Sequence, residues 1–257
     1  MYQFEGRVRY SETGKDGKLT LESILNYFQD CTNFHSLDIG FGLDELLKGG
    51  TTWILLSWQI VVERYPEMGE KIKIGTKAYG FKGSFGYRNF MMYDEDGKYI
   101  AYANSVWLCV DKETMKPVRV DKEQIDGYCL EERLPMEYES MHIALPKEEG
   151  KETPSITVQN YHLDTNDHVN NGQYLRMAYL AAGSGSETKI EGKVGQMRAE
   201  YKKAALLGDV IFPVVYEAQE RIVVALNNEE GKPYAVIELR MGMDSRMGHG
   251  LEGRMIC

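Results

Sequence analysis

The stretch Asp164-Thr165-Asn166-Asp167-His168 sets a carboxylate, a carboxamide and an imidazole at alternate positions, then runs through Val169-Asn170-Asn171 into Gly172-Gln173-Tyr174. In an extended segment, residues i, i+2 and i+4 point to one side. Asp164, Asn166 and His168 are therefore expected to converge on one cavity. Such a set contains an acceptor, a donor/acceptor and the side chain most used for proton transfer near neutral pH. The same residue types also suit a polar turn ahead of a helix capped by Asn170 or Asn171. Both readings stand on these residues alone.

The elements that must position this segment come in two matching sets. In the first half, Leu21, Ile24, Leu25, Phe28 and Cys31 follow helical spacing and predict a helix from about Leu19 to Ser36. Strand-like runs follow at Trp53 to Val62, Lys71 to Ile74, Phe85 to Tyr93 and Ile100 to Val110. Asp94-Glu95-Asp96-Gly97-Lys98 predicts a hairpin turn between the last two. In the second half, a helix is expected from about Asn171 to Ala182. Strands are then expected at Gln196 to Lys202, Val210 to Glu217, Arg221 to Leu226 and Tyr234 to Met241. Gly208-Asp209 echoes Gly69-Glu70, and Asn227 to Lys232 echoes Asp94 to Lys98. Short strands, Gln3 to Tyr10 and Ser155 to Val158, precede the two helices.

One long helix wrapped by a curved antiparallel sheet is the hotdog arrangement, so the expected fold is α+β, a tandem (double) hotdog. The expected division is residues 1–120, a connecting segment 121–152, and residues 153–257. A structureless loop of that length is unusual, so part of the connection is expected to pack on the surface.

Composition bounds the function classes. The chain has 257 residues, 43% hydrophobic and 27% charged, which is ordinary for a globular protein. A formal charge of -9 argues against bulk nucleic-acid binding but leaves room for a local basic docking face. No apolar run is long enough to span a membrane, and Met1-Tyr2-Gln3-Phe4-Glu5-Gly6 does not read as a signal peptide. Cys31, Cys109, Cys129 and Cys257 show no metal-like spacing and suit a reducing, cytoplasmic setting. His35, His142, His162, His168 and His249 show no HExxH-type spacing, and no metal or cofactor is expected.

The chain resembles the acyl-acyl carrier protein thioesterases over roughly residues 3 to 240. The resemblance rests on Tyr10-Ser11-Glu12-Thr13, on Leu25-Asn26-Tyr27-Phe28-Gln29-Asp30 leading to His35-Ser36, and on Gly80-Phe81-Lys82 with Gly86-Tyr87-Arg88-Asn89-Phe90. In the second half it rests on Asp164 to Tyr174. It implies hydrolysis of the thioester joining a fatty acyl chain to carrier-protein phosphopantetheine. Catalysis would fall in the second half, with Asp164, Asn166 and His168 as the motif residues, and acyl-chain binding largely in the first. Plant members of the family place a Glu-Cys pair after a Glu-Tyr-basic-basic string. Here Glu200-Tyr201-Lys202-Lys203 is followed by Ala204-Ala205. That departure favours water attack over a cysteine nucleophile.

Thioester hydrolysis needs an activated water, a stabilised oxyanion and an exit for the thiolate. His168 is a candidate to take the water's proton or to orient the water with Asn166; Asp164 is a candidate base or orienting group. The amides at the start of the Asn171 helix, with Asn170 and Asn171, are the candidate oxyanion site.

His35, at the end of the first helix, is expected to cap or pack. Asp30 and Glu22 are expected to face solvent or link the two halves. Basic residues gather at Lys71, Lys73, Lys77, Lys82 and Arg88, and again at Arg198, Lys202 and Lys203. They suit a solvated or edge-protecting face, or a docking patch for an acidic carrier protein, with Lys71, Lys202 and Lys203 as its candidates. A hotdog 3-hydroxyacyl-thioester dehydratase or hydratase, and a non-catalytic acyl-carrier-binding protein, are the competing readings. A homodimer is compatible with either.

Overall fold

The computed structural model describes residues 1–42, 48–185, 194–218 and 221–242. His249 and Cys257 lie outside the described residues. The chain forms two compact units, Met1–Glu139 and a second beginning at Ser140. The expected connection is thus divided: residues 121–139 belong to the first unit, and the rest of it to the second.

The first unit holds β1 (Tyr2–Arg7), α1 (Leu21–Asp38), β2 (Thr51–Val62), β3 (Lys71–Lys82), β4 (Phe85–Tyr93), β5 (Tyr99–Asp111) and a short α2 (Lys122–Gly127). Its strands lie in the antiparallel order β1-β3-β4-β5-β2, and α1 packs against β3 and β1. The helix begins where Thr20 Oγ1 accepts from Ser23 N–H. Leu21, Ile24, Leu25, Phe28 and Cys31 form its buried stripe, as their spacing predicts. Phe28 meets Trp58 and Phe90, whose rings sit 4.7 Å apart.

The second unit holds β6 (Lys151–Glu152), β7 (Ile156–Thr157), α3 (Asn171–Gly185), β8 (Val194–Tyr201), β9 (Val210–Ala218), β10 (Arg221–Asn227) and β11 (Pro233–Met241). Its order is β8-β11-β10-β9-β6, with β7 also on β9, and α3 packs against β9 and β10. Each unit is therefore a long helix on an antiparallel sheet, the arrangement expected. Among the described residues, no helix is long and apolar enough to cross a membrane.

The duplication extends to individual hydrogen bonds. Gly69 N–H donates to Val8 C=O and Val8 N–H to Glu70 C=O; Gly208, Val158 and Asp209 repeat the pattern. Asp94 N–H donates to Lys98 C=O, and the Asp94 carboxylate accepts from the amides of Asp96 and Lys98. Asn228 does the same with Lys232 and Glu230. Gly97 and Gly231 supply the positive φ these turns require.

The first expected strand is shorter than its sequence suggests. It stops at Arg7, and Tyr10–Glu12 forms a 3-10 turn. Glu12 Oε2 accepts from Arg9 N–H at 2.8 Å, so the polar side chain diverts the backbone from the ladder.

Tyr128, near the start of the connecting segment, packs on the α1 side against His35 and Arg88; further along, the segment packs on the sheet face turned away from each helix. In the first unit, Leu134 N–H and the Tyr138 hydroxyl donate to Asn89 Oδ1, and Leu134 packs on Met91 and Tyr93. In the second, Arg198 donates to the carbonyls of Ser140 and His142, and Ile143 packs on Val223 and Val236.

Two arginines expected on basic surfaces are buried. Strand alternation places Arg88 with Phe90 and Met92 on the face that α1 covers, where it is 6% exposed. Its guanidinium donates to His35 Nδ1 at 3.0 Å and Thr76 Oγ1 at 3.2 Å, and lies 4.9 Å from the Tyr128 ring. Arg198 is buried against Glu238.

His35 packs rather than serving as a cationic cap. It is buried and stacks on Tyr2 at 5.3 Å. Burial and the neighbouring Arg88 guanidinium hold its pKa down to about 4. Because the folded pKa lies below the unfolded value near 6.5, this contribution is fully present above about pH 6.5. It is lost as pH falls from there through about 4. The full loss is on the order of 2–3 kcal/mol. Urea midpoints at pH 7.5 and 4.5 are expected to differ more in wild type than in His35→Gln. Equal differences in both proteins would remove His35 as the cause.

Candidate active site

The segment Asp164 to His168 is a turn, not a strand. Leu163 and Val169 bridge antiparallel, Asp164 N–H donates to His168 C=O at 2.8 Å, and Asp167 takes φ +58°. The expected strand-like convergence of Asp164, Asn166 and His168 is therefore replaced by a turn geometry. The cause is local: Asp and Asn bond to backbone amides two residues on and tolerate the left-handed region. Asp164 Oδ1 accepts from Asn166 N–H at 2.8 Å and, more weakly, from His168 N–H at 3.4 Å. Asp164 thus organises the turn.

The side chains of Asn166 and His168 make no hydrogen bond among the described residues. Asn166 is exposed and His168 half-buried. Both are polar side chains carried on a hydrogen-bonded turn.

Asn170 caps α3, as one of the two sequence readings expects. Its Oδ1 accepts from Gly172 N–H at 2.9 Å, and its carbonyl accepts from Gln173 N–H at 2.9 Å. Two first-turn amides of the expected oxyanion site are therefore used within the helix. The helix dipole still directs positive potential toward the turn.

The loop after β8 closes onto the turn. Ala205 C=O accepts from Val169 N–H at 3.0 Å, and Ala205 N–H donates to the Tyr174 hydroxyl at 2.8 Å. The departure noted at Ala204-Ala205 thus falls beside the Asp164–His168 turn, with Ala205 fully buried. None of the described cysteines belongs to this unit. Burial pushes the Cys31 thiol up to about 12 and the Cys109 thiol to about 11, which opposes thiolate chemistry at both.

The first unit builds the same turn from Thr13-Gly14-Lys15-Asp16-Gly17-Lys18-Leu19. Thr13 and Leu19 bridge as Leu163 and Val169 do, and Gly17 has φ +74° where Asp167 has +58°. Leu19 N–H donates to Pro66 C=O, as Val169 N–H does to Ala205. Gly14, Asp16 and Lys18 occupy the places of Asp164, Asn166 and His168. The backbone therefore does not demand that trio.

Three neighbours escaped the sequence reading. His162, buried, accepts from Gln159 N–H through Nδ1 and from Asn170 N–H through its carbonyl. Burial, then Arg176, lowers its pKa. Tyr174 and Tyr201 stand with rings 5.8 Å apart at the start of α3. An alignment of the two halves would have marked all three, since Glu12, Ile24 and Val62 hold their places.

The docking candidates are already engaged. Lys71 pairs with Glu95 at 2.8 Å and Lys202 with Glu200 at 2.6 Å, while Lys203 lies 5.9 Å from the Tyr234 ring centroid. Glu200 also accepts from Ile143 N–H. Burial would raise its pKa, but that amide, Lys202 and His142 together lower it.

Comparison with known proteins adds the following. The family model for the acyl-ACP thioesterase N-terminal domain matches residues 1–128, and that for the C-terminal domain matches residues 146–242. An acyl-[acyl-carrier-protein] hydrolase, chloroplastic, of Cuphea viscosissima is 26% identical over 182 residues, covering 65% of this chain and 44% of that protein. A palmitoyl-acyl carrier protein thioesterase, chloroplastic, of Arabidopsis thaliana is 24% identical over 208 residues, covering 76% and 50%. The chain thus spans half or less of the length of these curated relatives. In fold, it is similar to the crystal structure of an acyl-ACP thioesterase from Bacteroides thetaiotaomicron, with TM-score 0.82 and 23% identity over 93% of this chain and 96% of that one. A 12:0-ACP thioesterase from Umbellularia californica gives TM-score 0.81 and 16% identity, with coverage of 93% and 96%.

Proposed function

The chain belongs to the acyl-ACP thioesterase family, and from that premise we propose that it hydrolyses fatty acyl-acyl carrier protein to free fatty acid and carrier protein. One observation carries the assignment of the site. The same turn is built twice, and only the second copy bears Asp164, Asn166 and His168. A residue trio that the other copy of the turn does without, with the Asn166 and His168 side chains making no hydrogen bond among the described residues, fits a site that acts on something else.

In this reading, His168 takes a proton from water as the water oxygen attacks the thioester carbonyl carbon. The C–O bond forms, and the carbonyl electrons move onto oxygen. The Asn166 carboxamide and the positive end of α3 stabilise that oxyanion. Collapse breaks the C–S bond, and the proton held by His168 passes to the departing thiolate. Asp164 holds Asn166 and His168 in register through their backbone amides. A reducing cytoplasm suits the chain, since Cys31, Cys109 and Cys129 are all free.

Thiol release from carrier-protein thioesters of graded acyl length tests the reading. Release that depends on chain length supports it. Binding of acyl carrier protein without release from any substrate would instead favour a non-catalytic binder.

Docking of the acidic carrier is assigned to Lys202 and Lys203 on the second unit; Lys71, on the first, is a separate candidate. The support is their charge, against a formal charge of -9 for the whole chain. Lys202→Glu/Lys203→Glu is expected to raise KM for carrier-linked substrate by about tenfold. KM for a short acyl-pantetheine should stay within about twofold, and equal responses would refute the docking assignment.

A further inference from the structure

The two copies differ at the base of the turn in a correlated way. In the first unit, the loop residue that accepts from the turn is Pro66, which has no N–H to satisfy, and the facing helix residue is Ile24. In the second, the loop residue is Ala205, which has an N–H, and the facing residue is Tyr174, whose hydroxyl accepts it at 2.8 Å. One further pair changes alongside. Val62 and Leu21 of the first unit correspond to Tyr201 and Asn171 of the second, where the Tyr201 hydroxyl donates to Asn171 C=O at 3.3 Å.

The correspondence is set by backbone bonds and not by similarity of residue type. Glu63 and Arg64 both donate to Ile100 C=O, as Lys202 and Lys203 both donate to Tyr234 C=O. Glu70 N–H donates to Glu67 C=O, as Asp209 N–H does to Leu206 C=O. Pro66 therefore matches Ala205, and Val62 matches Tyr201. Along the helices, Ile24 N–H donates to Thr20 C=O as Tyr174 N–H donates to Asn170 C=O.

The first unit thus forms this backbone with apolar groups and a proline. The first unit shows that this turn, loop and helix start form without a hydroxyl at either place; in the second, Ala205 brings a buried N–H that the Tyr174 hydroxyl meets. We propose that Tyr174 and Tyr201 are positioning residues for the reaction assigned to Asp164, Asn166 and His168, a proposal that rests on that assignment. Tyr174 acts through Ala205, whose carbonyl holds Val169 N–H and so fixes the exit of the turn. Tyr201 acts through the carbonyl of Asn171, the first residue of α3. Neither side chain reaches the substrate. Both set where the side chains of Asn166 and His168 stand relative to the helix start.

The experiment uses the full chain and four variants: Tyr174→Phe, Tyr201→Phe, Tyr174→Phe/Ala205→Pro, and Val224→Ala as a core variant of comparable stability loss. Steady-state thiol release and amide exchange at Val169 are both read. Tyr174→Phe is expected to lower kcat about tenfold with KM within twofold, and to speed Val169 exchange about tenfold, in line with loss of a positioning contact. Tyr201→Phe is expected to lower kcat by about threefold on the same ground. Val224→Ala should leave kcat within about twofold, since Val224 is a buried apolar residue of β10 that bonds none of the groups of the turn. The proline variant removes the orphaned N–H as Pro66 does, and should recover most of both kcat and exchange protection.

Unchanged kcat and unchanged Val169 exchange in Tyr174→Phe overturn the proposal. So does a stable proline variant that recovers exchange protection but not kcat, because the hydroxyl would then act on substrate directly. If wild type releases no thiol, the thioesterase reading falls. Val169 exchange still decides whether Tyr174 holds the turn.

Discussion

His168→Ala is expected to cut turnover by about 10²–10⁴-fold, the usual range for losing a general base, while the urea midpoint stays near that of wild type. The structural part of His168 is played by its backbone. Its N–H faces Asp164 Oδ1 and its C=O accepts from Asp164 N–H, and alanine keeps both. The imidazole makes no hydrogen bond among the described residues, so no partner is left stranded when it goes. Asp164→Ala should behave differently, losing activity and stability together, because it removes the acceptor that organises the turn. Thiol release and urea unfolding on both variants separate the two roles. Wild-type turnover in His168→Ala would take the residue out of the chemistry.

Glu238→Ala is expected to destabilise the second unit by about 3–5 kcal/mol, as breaking a buried ion pair does. Glu238 is 1% exposed and accepts from Arg198 and Arg221 at 3.0 Å and from Arg240 at 2.9 Å. Arg221 and Arg240 are partly exposed and can turn their charges toward water. Arg198 is buried, so the cost falls mainly there. Loss of that anchor also loosens the carbonyls of Ser140 and His142, which Arg198 holds. Replacing Glu238 and Arg198 together with apolar residues of similar volume should recover much of the loss. A urea midpoint shift worth less than about 1 kcal/mol, the range of an exposed pair, would make the cluster a spectator.

Element type was readable from hydrophobic period. The β4 strand spans Phe85–Tyr93 as expected, and α1 buries the stripe its spacing predicts. Strand ends moved where pairing decided them: β3 runs to Lys82 because β4 pairs with it along its length. The sequence left the Asp164 segment open between an extended strand and a polar turn, because alternation of polar groups is not alternation of hydrophobicity, and the structure shows the turn. Residues with short polar side chains bond to their own backbone and leave the ladder. Arg88 was misplaced because residue type was weighed above strand parity, although Phe90 and Met92 share its face. The supports at His162, Tyr174 and Tyr201 lay beyond single-residue reading. They stand out only when each half is used as a template for the other.

The turn that opens each helix is present in both units, while the trio proposed to act on substrate sits in one. Mutational tolerance should divide accordingly. At positions 14, 16 and 18, any residue that accepts the turn geometry will do, and selection sees only folding. At 164, 166 and 168 the same backbone answers to two separate demands, and substitutions there can satisfy one while failing the other. A saturation screen scored in parallel for soluble yield and for activity would find the two scores moving together along the first turn and parting company along the second. Each molecule thereby carries its own reference state, a silent turn measured under the same solvent, temperature and expression history as the working one.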